Sequence, residues 1–212
     1  KNITVEINDK SKEGYLVRYN EGIVEEIKIR GAHKDAEMGA PIQTNRGEIN
    51  YLFSNVNTGT GVAGTNRGVI KNSMHLNGNL YGLGGIAGGN TGKIDRVVST
   101  GRFVRDSSDR SQDNTHGISS NFVGNDRTMF GTITKAVRYG DVIDATISKV
   151  KGAAGIAERG TVTQSYVIGD VRGRDRTGGI GKDTAVYDSF ILGNVPNYSY
   201  DTYEGLLNYN GG

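Results

Sequence analysis

The stretch Gly84-Gly85-Ile86-Ala87-Gly88-Gly89-Asn90-Thr91-Gly92-Lys93-Ile94-Asp95-Arg96-Val97-Val98-Ser99-Thr100-Gly101-Arg102-Phe103 decides the fold. Glycine recurs through it, no aromatic ring occurs before Phe103, and the apolar residues fall at uneven intervals. Glycine at this density weakens a helix, and the apolar segments between glycines have strand length. The pattern also returns along the chain. An Asn-x-Gly followed by an aliphatic residue occurs at Asn20-Glu21-Gly22, Asn45-Arg46-Gly47, Asn66-Arg67-Gly68 and Asn90-Thr91-Gly92, with looser copies at Gly131-Thr132-Ile133, Gly160-Thr161-Val162 and Thr184-Ala185-Val186. A second block precedes several copies, as in Gly61-Val62-Ala63-Gly64, Ala154-Gly155-Ile156-Ala157 and Gly178-Gly179-Ile180-Gly181. A third block follows, as in Tyr139-Gly140-Asp141-Val142, Ile168-Gly169-Asp170-Val171 and Leu192-Gly193-Asn194-Val195. The aliphatic anchors fall at positions 24, 49, 70, 94, 133, 162 and 186, which are 21 to 29 residues apart except between 94 and 133.

A unit of this size cannot bury its own apolar face, so it must stack on the next unit. Three short strands per unit, each pairing in parallel with its counterpart about 4.8 Å along an axis, meet that need. The expectation is an all-β chain, a right-handed parallel β-helix of about seven coils spanning roughly 33 Å. Ile86, Ile94 and Val97 would point into a narrow core. Glycine would turn the corners, where φ is positive or a Cβ would strike the next coil. Asn tolerates left-handed turns, and its amide can ladder onto the Asn above. The whole of 1–212 reads as a single repeat domain, with a long loop projecting over 103–120.

Composition narrows the function classes. There are 33 glycines but only 2 prolines among 212 residues, which excludes a collagen-like or proline-rich chain. With no cysteine there is no disulfide scaffold, thiol nucleophile or cysteine metal site. A formal net charge of +2 points to no nucleic-acid surface, and no apolar run reaches the length of a membrane span. The start at Lys1-Asn2-Ile3, without Met or a signal-like stretch, and the end in mid-pattern at Gly205–Gly212 read as a piece of a longer chain.

The repeats GGIAGGNTGKIDRVVSTGRF and AAGIAERGTVTQSYVIGDV resemble the GLUG-type repeat of bacterial surface proteins. They are also similar to the β-helical region of immunoglobulin A proteases and related zinc metallopeptidases of Gram-positive cocci. The resemblance runs over about residues 14–195. It implies an extracellular or cell-wall-anchored bacterial domain whose partners are neighbouring domains of the same chain and a host glycoprotein such as immunoglobulin A. In those peptidases catalysis belongs to a C-terminal HEXXH zinc site. The histidines here are His33, His75 and His116, and none begins such a motif, so no catalytic residue, metal ligand or cofactor is assigned.

The remaining candidates are surface features. Arg102, Arg105, Arg138, Arg172 and Arg174 follow the third strand of successive coils, with Asp141 and Asp170 beside them. If stacked on an outer face they would form a charged stripe for an anionic sugar or an acidic segment. The same charge is what a solvated strand face needs for solubility. Tyr198, Tyr200 and Tyr203 have the makings of a recognition loop or of a packed cap. The polar run 105–116 holds three Asp with His116, a composition open to a cation and equally to plain solvation. Gly178–Asp183 matches the first positions of a calcium-binding nonapeptide, but that site needs tandem copies, so a repeat corner is the simpler reading. The readings in order are a spacer and docking domain of a protease-like parent, an adhesin stalk, and a β-helix polysaccharide lyase or hydrolase.

Overall fold

The computed structural model describes residues 2–8, 10, 14–81, 84–103, 115–120, 129–143, 153–173 and 177–195. Within them the chain is all β, and every strand pairing is parallel, so the repeats stack as a β-solenoid. Each coil has three arms. The first arm forms a seven-stranded sheet running from Val17–Asn20 through Ile42–Asn45, Ala63–Asn66 and Ala87–Asn90 to Gly181–Lys182. The second arm is an eleven-stranded sheet that includes Ile23–Gly31, Glu48–Ser54, Lys93–Ser99 and Thr132–Tyr139. The third arm is short, as in Glu37–Met38 on Asn57–Thr58 and Val142–Ile143 on Val171–Arg172.

The anchors read from the sequence are one column of this structure. Val24, Ile49, Ile70, Ile94, Ile133, Val162 and Val186 are Cα partners on successive coils. From Ile49 to Val162 they are fully buried, and each such side chain contributes roughly 2 kcal/mol by leaving water. Ile86, Ile94 and Val97 all point inward, as expected.

The second-arm strands are longer than the short strands expected because they bend without breaking. Glu26, Tyr51, Asn72, Arg96, Lys135, Gln164 and Asp188 stand one per coil with φ between 48° and 56°. These seven left-handed residues are aligned, and none is glycine. Glycine takes a positive φ elsewhere, at Gly140, Gly160 and Gly169. At the Asn-x-Gly corners glycine serves the other purpose, close approach. A Cβ on Gly47 would lie 2.1 Å from the Gly22 carbonyl oxygen, and one on Gly68 2.0 Å from that of Gly47.

The left-handed residue also changes which side chains face the core. Alternation makes Ile94 inward and Asp95 outward on the pleat, and Arg96 then turns the chain. Val97 is inward, three residues after Ile94 rather than two or four. From there the inward positions are Val97 and Ser99, and the outward one is Val98. On the next coil this rule buries Ala136 and Arg138 and turns Val137 out.

Candidate functional site

The predicted arginine stripe is not formed as expected. Arg138 is fully buried, because the left-handed turn at Lys135 places it inward, in register with Ser99 and Val167. Arg102 and Arg172 are exposed. Arg172 pairs with Asp170 and lies beside Ile143 in register. Arg105 and Arg174 lie outside the described residues, as do Tyr198, Tyr200 and Tyr203 and most of the run 105–116. Phe103 bridges to Leu80, and Thr115–His116 and Ser119–Ser120 are strands of the solenoid, so both ends of the expected 103–120 loop belong to the coils. His116 is buried in that ladder, which corrects its placement on a solvated loop.

Buried polar arrangements stacked from coil to coil carry much of the chemistry of the described residues. The first is the amide ladder expected at the Asn-x-Gly corner. Asn20 Nδ2 donates to Asn45 Oδ1, Asn45 Nδ2 to Asn66 Oδ1, and Asn66 Nδ2 to Asn90 Oδ1, each at 2.7 Å. The second proton of each Nδ2 reaches a carbonyl of the next coil, on Glu48, Val69 and Lys93. The Gly22 N–H donates to Asn20 Oδ1 and the Gly92 N–H to Asn90 Oδ1, so the amide also holds its own corner. Burial without loss of hydrogen bonds explains why Asn recurs here.

The second arrangement replaces the ladder on the later coils. There the corner is two residues shorter, since Ala87 to Lys93 becomes Ala157 to Thr161. Glu158, in register with Ser120 and Lys182, is buried between a histidine and a lysine. Lys182 Nζ donates to its Oε1 at 2.9 Å, and His116 Nε2 lies 3.2 Å from its Oε2. Burial pushes the Glu158 carboxyl up, but hydrogen bonds and charge from His116 and Lys182 outweigh it and hold the group well below the usual carboxylate range. Sequence reasoning missed this cluster, because His116 and Glu158 are 42 residues apart and belong to different repeat blocks. Lys182 belongs to the Gly178–Asp183 stretch and uses its charge on Glu158, and Asp183 is an exposed corner residue with φ 50°. That is the repeat-corner reading.

The third lies in the core column Ile29, Ser54, His75, Ser99, Arg138 and Val167, aliphatic at its ends and polar in its middle. Arg138 Nη1 donates to Ser99 Oγ at 3.1 Å and Nη2 to the Asp141 carbonyl at 2.8 Å, while the guanidinium lies 5.0 Å from the Phe103 ring centre. Burial lowers Arg138 to about 10 against the attraction of Asp141. His75 Nε2 lies 3.2 Å from the Gly78 carbonyl. Burial brings its pKa down to about 4, with the Arg138 charge a smaller contribution in the same direction. Glycines make room for the ring: a Cβ on Gly78 or Gly101 would come within 2.8 Å of it.

On the outside, Asp141 Oδ1 accepts the Asp170 N–H at 2.8 Å, and Asp170 Oδ1 accepts the Asn194 N–H at 2.9 Å. The third repeat block is therefore a ladder in which a side chain of one coil fastens the backbone of the next. The Asn194 N–H and the Arg172 guanidinium lower the Asp170 pKa.

Among the described residues no group of three or more His, Cys, Asp or Glu is placed to hold a metal ion, and no helix is long and apolar enough to cross a membrane. No protein-family model matches the chain, and no curated protein or solved structure matches it either.

Proposed function

We propose that this chain is a non-catalytic spacer and docking domain of an exported bacterial protein, similar in its repeats to the β-helical part of immunoglobulin A protease-like metallopeptidases. The observation that supports this reading is the unbroken register of the anchor column from Val24 to Val186. A column paired at every step makes a stiff rod, because bending it breaks ladder hydrogen bonds on every arm at once. Many polar groups of the interior hold neighbouring coils together. Asn45, Asn66, Glu158, Lys182 and Arg138 all direct their hydrogen bonds to other parts of the solenoid. Docking falls to the outer faces, where Arg102 and Arg172 are exposed.

The test is binding of the isolated chain to immobilised immunoglobulin A, with Arg102→Ala/Arg172→Ala as the paired variant. Saturable binding weakened by the variant supports docking. No binding removes docking and leaves the spacer. Release of unsaturated or reducing ends from a panel of uronic-acid polymers would overturn the non-catalytic reading altogether.

A further inference from the structure

The turn at the left-handed column leaves an apolar stripe on the outside of the second arm. Phe53, Met74, Val98, Val137, Tyr166 and Phe190 are Cα partners on six successive coils. All six point away from the core and none is fully buried. Two residues further along the pleat a second outward column joins the stripe on the last three coils, with Tyr139, Ile168 and Leu192 in register. Tyr139 is 58% exposed, Phe190 50% and Leu192 60%. Solvated strand faces carry polar residues at such positions, as Thr4 and Lys28 do on the first coils of this same column. The Tyr166 and Phe190 rings stack at 5.1 Å and 4°, so their faces cover each other and their edges point outward. A row of ring edges offers no flat platform to a sugar. It suits interdigitation with another row of side chains.

The borders of the stripe select its occupant. Two residues before Val137 stands Lys135, exposed at the left-handed turn. Two residues after Tyr139 stands Asp141, exposed beyond the positive-φ Gly140. The stripe on this coil therefore runs from a cation to an anion. A two-fold axis parallel to the solenoid axis sets the same face of a second copy against it, coil on matching coil, with the two borders exchanged. Val137 then meets Tyr139 of the second copy, and Tyr166 meets Ile168. Lys135 meets Asp141 of the second copy, and symmetry makes that pair twice. On the next coil Gln164 meets Asp170, and on the last Asp188 meets Asn194, so neither coil sets like charges together. Arg96 falls on the side of Arg102, but its Nε is turned back along its own column to Asn72 Oδ1 at 2.7 Å. The area also suffices. From Lys135 to Asp141 the face is about 20 Å wide, and its coils are together about 29 Å deep. About 600 Å² on each copy gives about 1,200 Å² in all, above the roughly 1,000 Å² that a specific interface needs. We infer that two copies of this chain pack these outer faces together about such an axis, covering Val98, Val137, Tyr166 and Phe190.

The test is the mass of the full chain in solution, by analytical ultracentrifugation over a range of concentrations. The expected result is a monomer–dimer equilibrium. Tyr166→Lys changes an outward side chain at the centre of the face and weakens the dimer about 30-fold or more. Lys135→Asp and Asp141→Lys each set like charges together and weaken it about 10-fold. Asp also suits the left-handed backbone at Lys135, where φ is 53°. The double variant Lys135→Asp/Asp141→Lys re-forms both pairs across the axis and recovers the dimer. A loss confined to one chain, such as that of the Asp141 bond to the Asp170 N–H, persists in the double variant, so recovery reports the contact between copies. A monomer at every concentration up to about 1 mM overturns the inference. So does a dimer that Tyr166→Lys leaves intact, or a folded double variant that stays as weak as the single ones. Masses that keep growing with concentration overturn it in favour of end-to-end stacking of open coils.

Discussion

Two regions of the first arm solve one problem in different ways. On the four early coils the chain turns through Asn20, Asn45, Asn66 and Asn90, a neutral amide stack that is donor and acceptor at every step. On the later coils the turn is shorter, and Glu158 stands between His116 and Lys182 in its place. Both arrangements bind coil to coil inside a nearly dry corner. The amide stack costs little desolvation and can repeat without limit. The ionic cluster strips charges from water and works only as a set, so removing one member leaves the others stranded. The difference teaches that the repeat accepts either a neutral or an ionic set at this corner, and that the two halves should fail differently.

The largest break comes from Glu158→Gln. Lys182 then loses its charged partner, and the fold is destabilised by about 3 to 5 kcal/mol in urea denaturation. The double variant Glu158→Leu/Lys182→Met removes both charges and recovers most of that loss. Recovery by the pair and not by the single change is what distinguishes a buried ionic cluster from simple packing.

The next effect is set by pH. His75 binds a proton at about 4 in the fold and at about 6.5 when unfolded. The unfolded chain therefore takes up the proton first, and stability falls as pH drops from 6.5 towards 4, by about 3 kcal/mol over that window. His75→Leu abolishes this slope, measured as Tm against pH. Glu158 acts in a lower window. Its folded pKa is depressed, so its contribution is full above the ordinary carboxylate range and is lost only as pH falls through the folded value.

Asn66→Ala sharpens the contrast on the neutral side. It removes the oxygen that accepts one Asn45 Nδ2 proton and the amide that donates to Asn90 Oδ1, at a cost of about 2 kcal/mol. That cost is the same at pH 7 and at pH 5, because no ladder member titrates. Asp170→Asn is the smallest change, a Tm decrease below that of any interior variant. The Asn194 N–H keeps an oxygen to donate to, and only the exposed Arg172 contact is lost.

The anchor column, the inward Ile86, Ile94 and Val97, and the Asn ladder were legible because each depends on a residue type recurring at one place in the repeat. The position of Arg138 was not. It depends on Lys135 adopting a left-handed turn, and nothing in the composition distinguishes a Lys, Arg or Glu that turns from one that continues the strand. The same turn moves Val98 and Val137 to the outside, so the outer stripe was hidden for the same reason. The His116–Glu158–Lys182 cluster was hidden because its members come from three coils that share no polar motif.

The most direct measurement is side-chain amide hydrogen exchange by NMR. In the ladder both Nδ2 protons of Asn45 and of Asn66 are bonded and buried. Their exchange is predicted to be as slow as that of the backbone amides of Ile49 and Ile70, while the exposed Asn55 side chain exchanges at the solvent rate. Equal, fast exchange of all three side chains would contradict the ladder, and with it the register on which the solenoid rests.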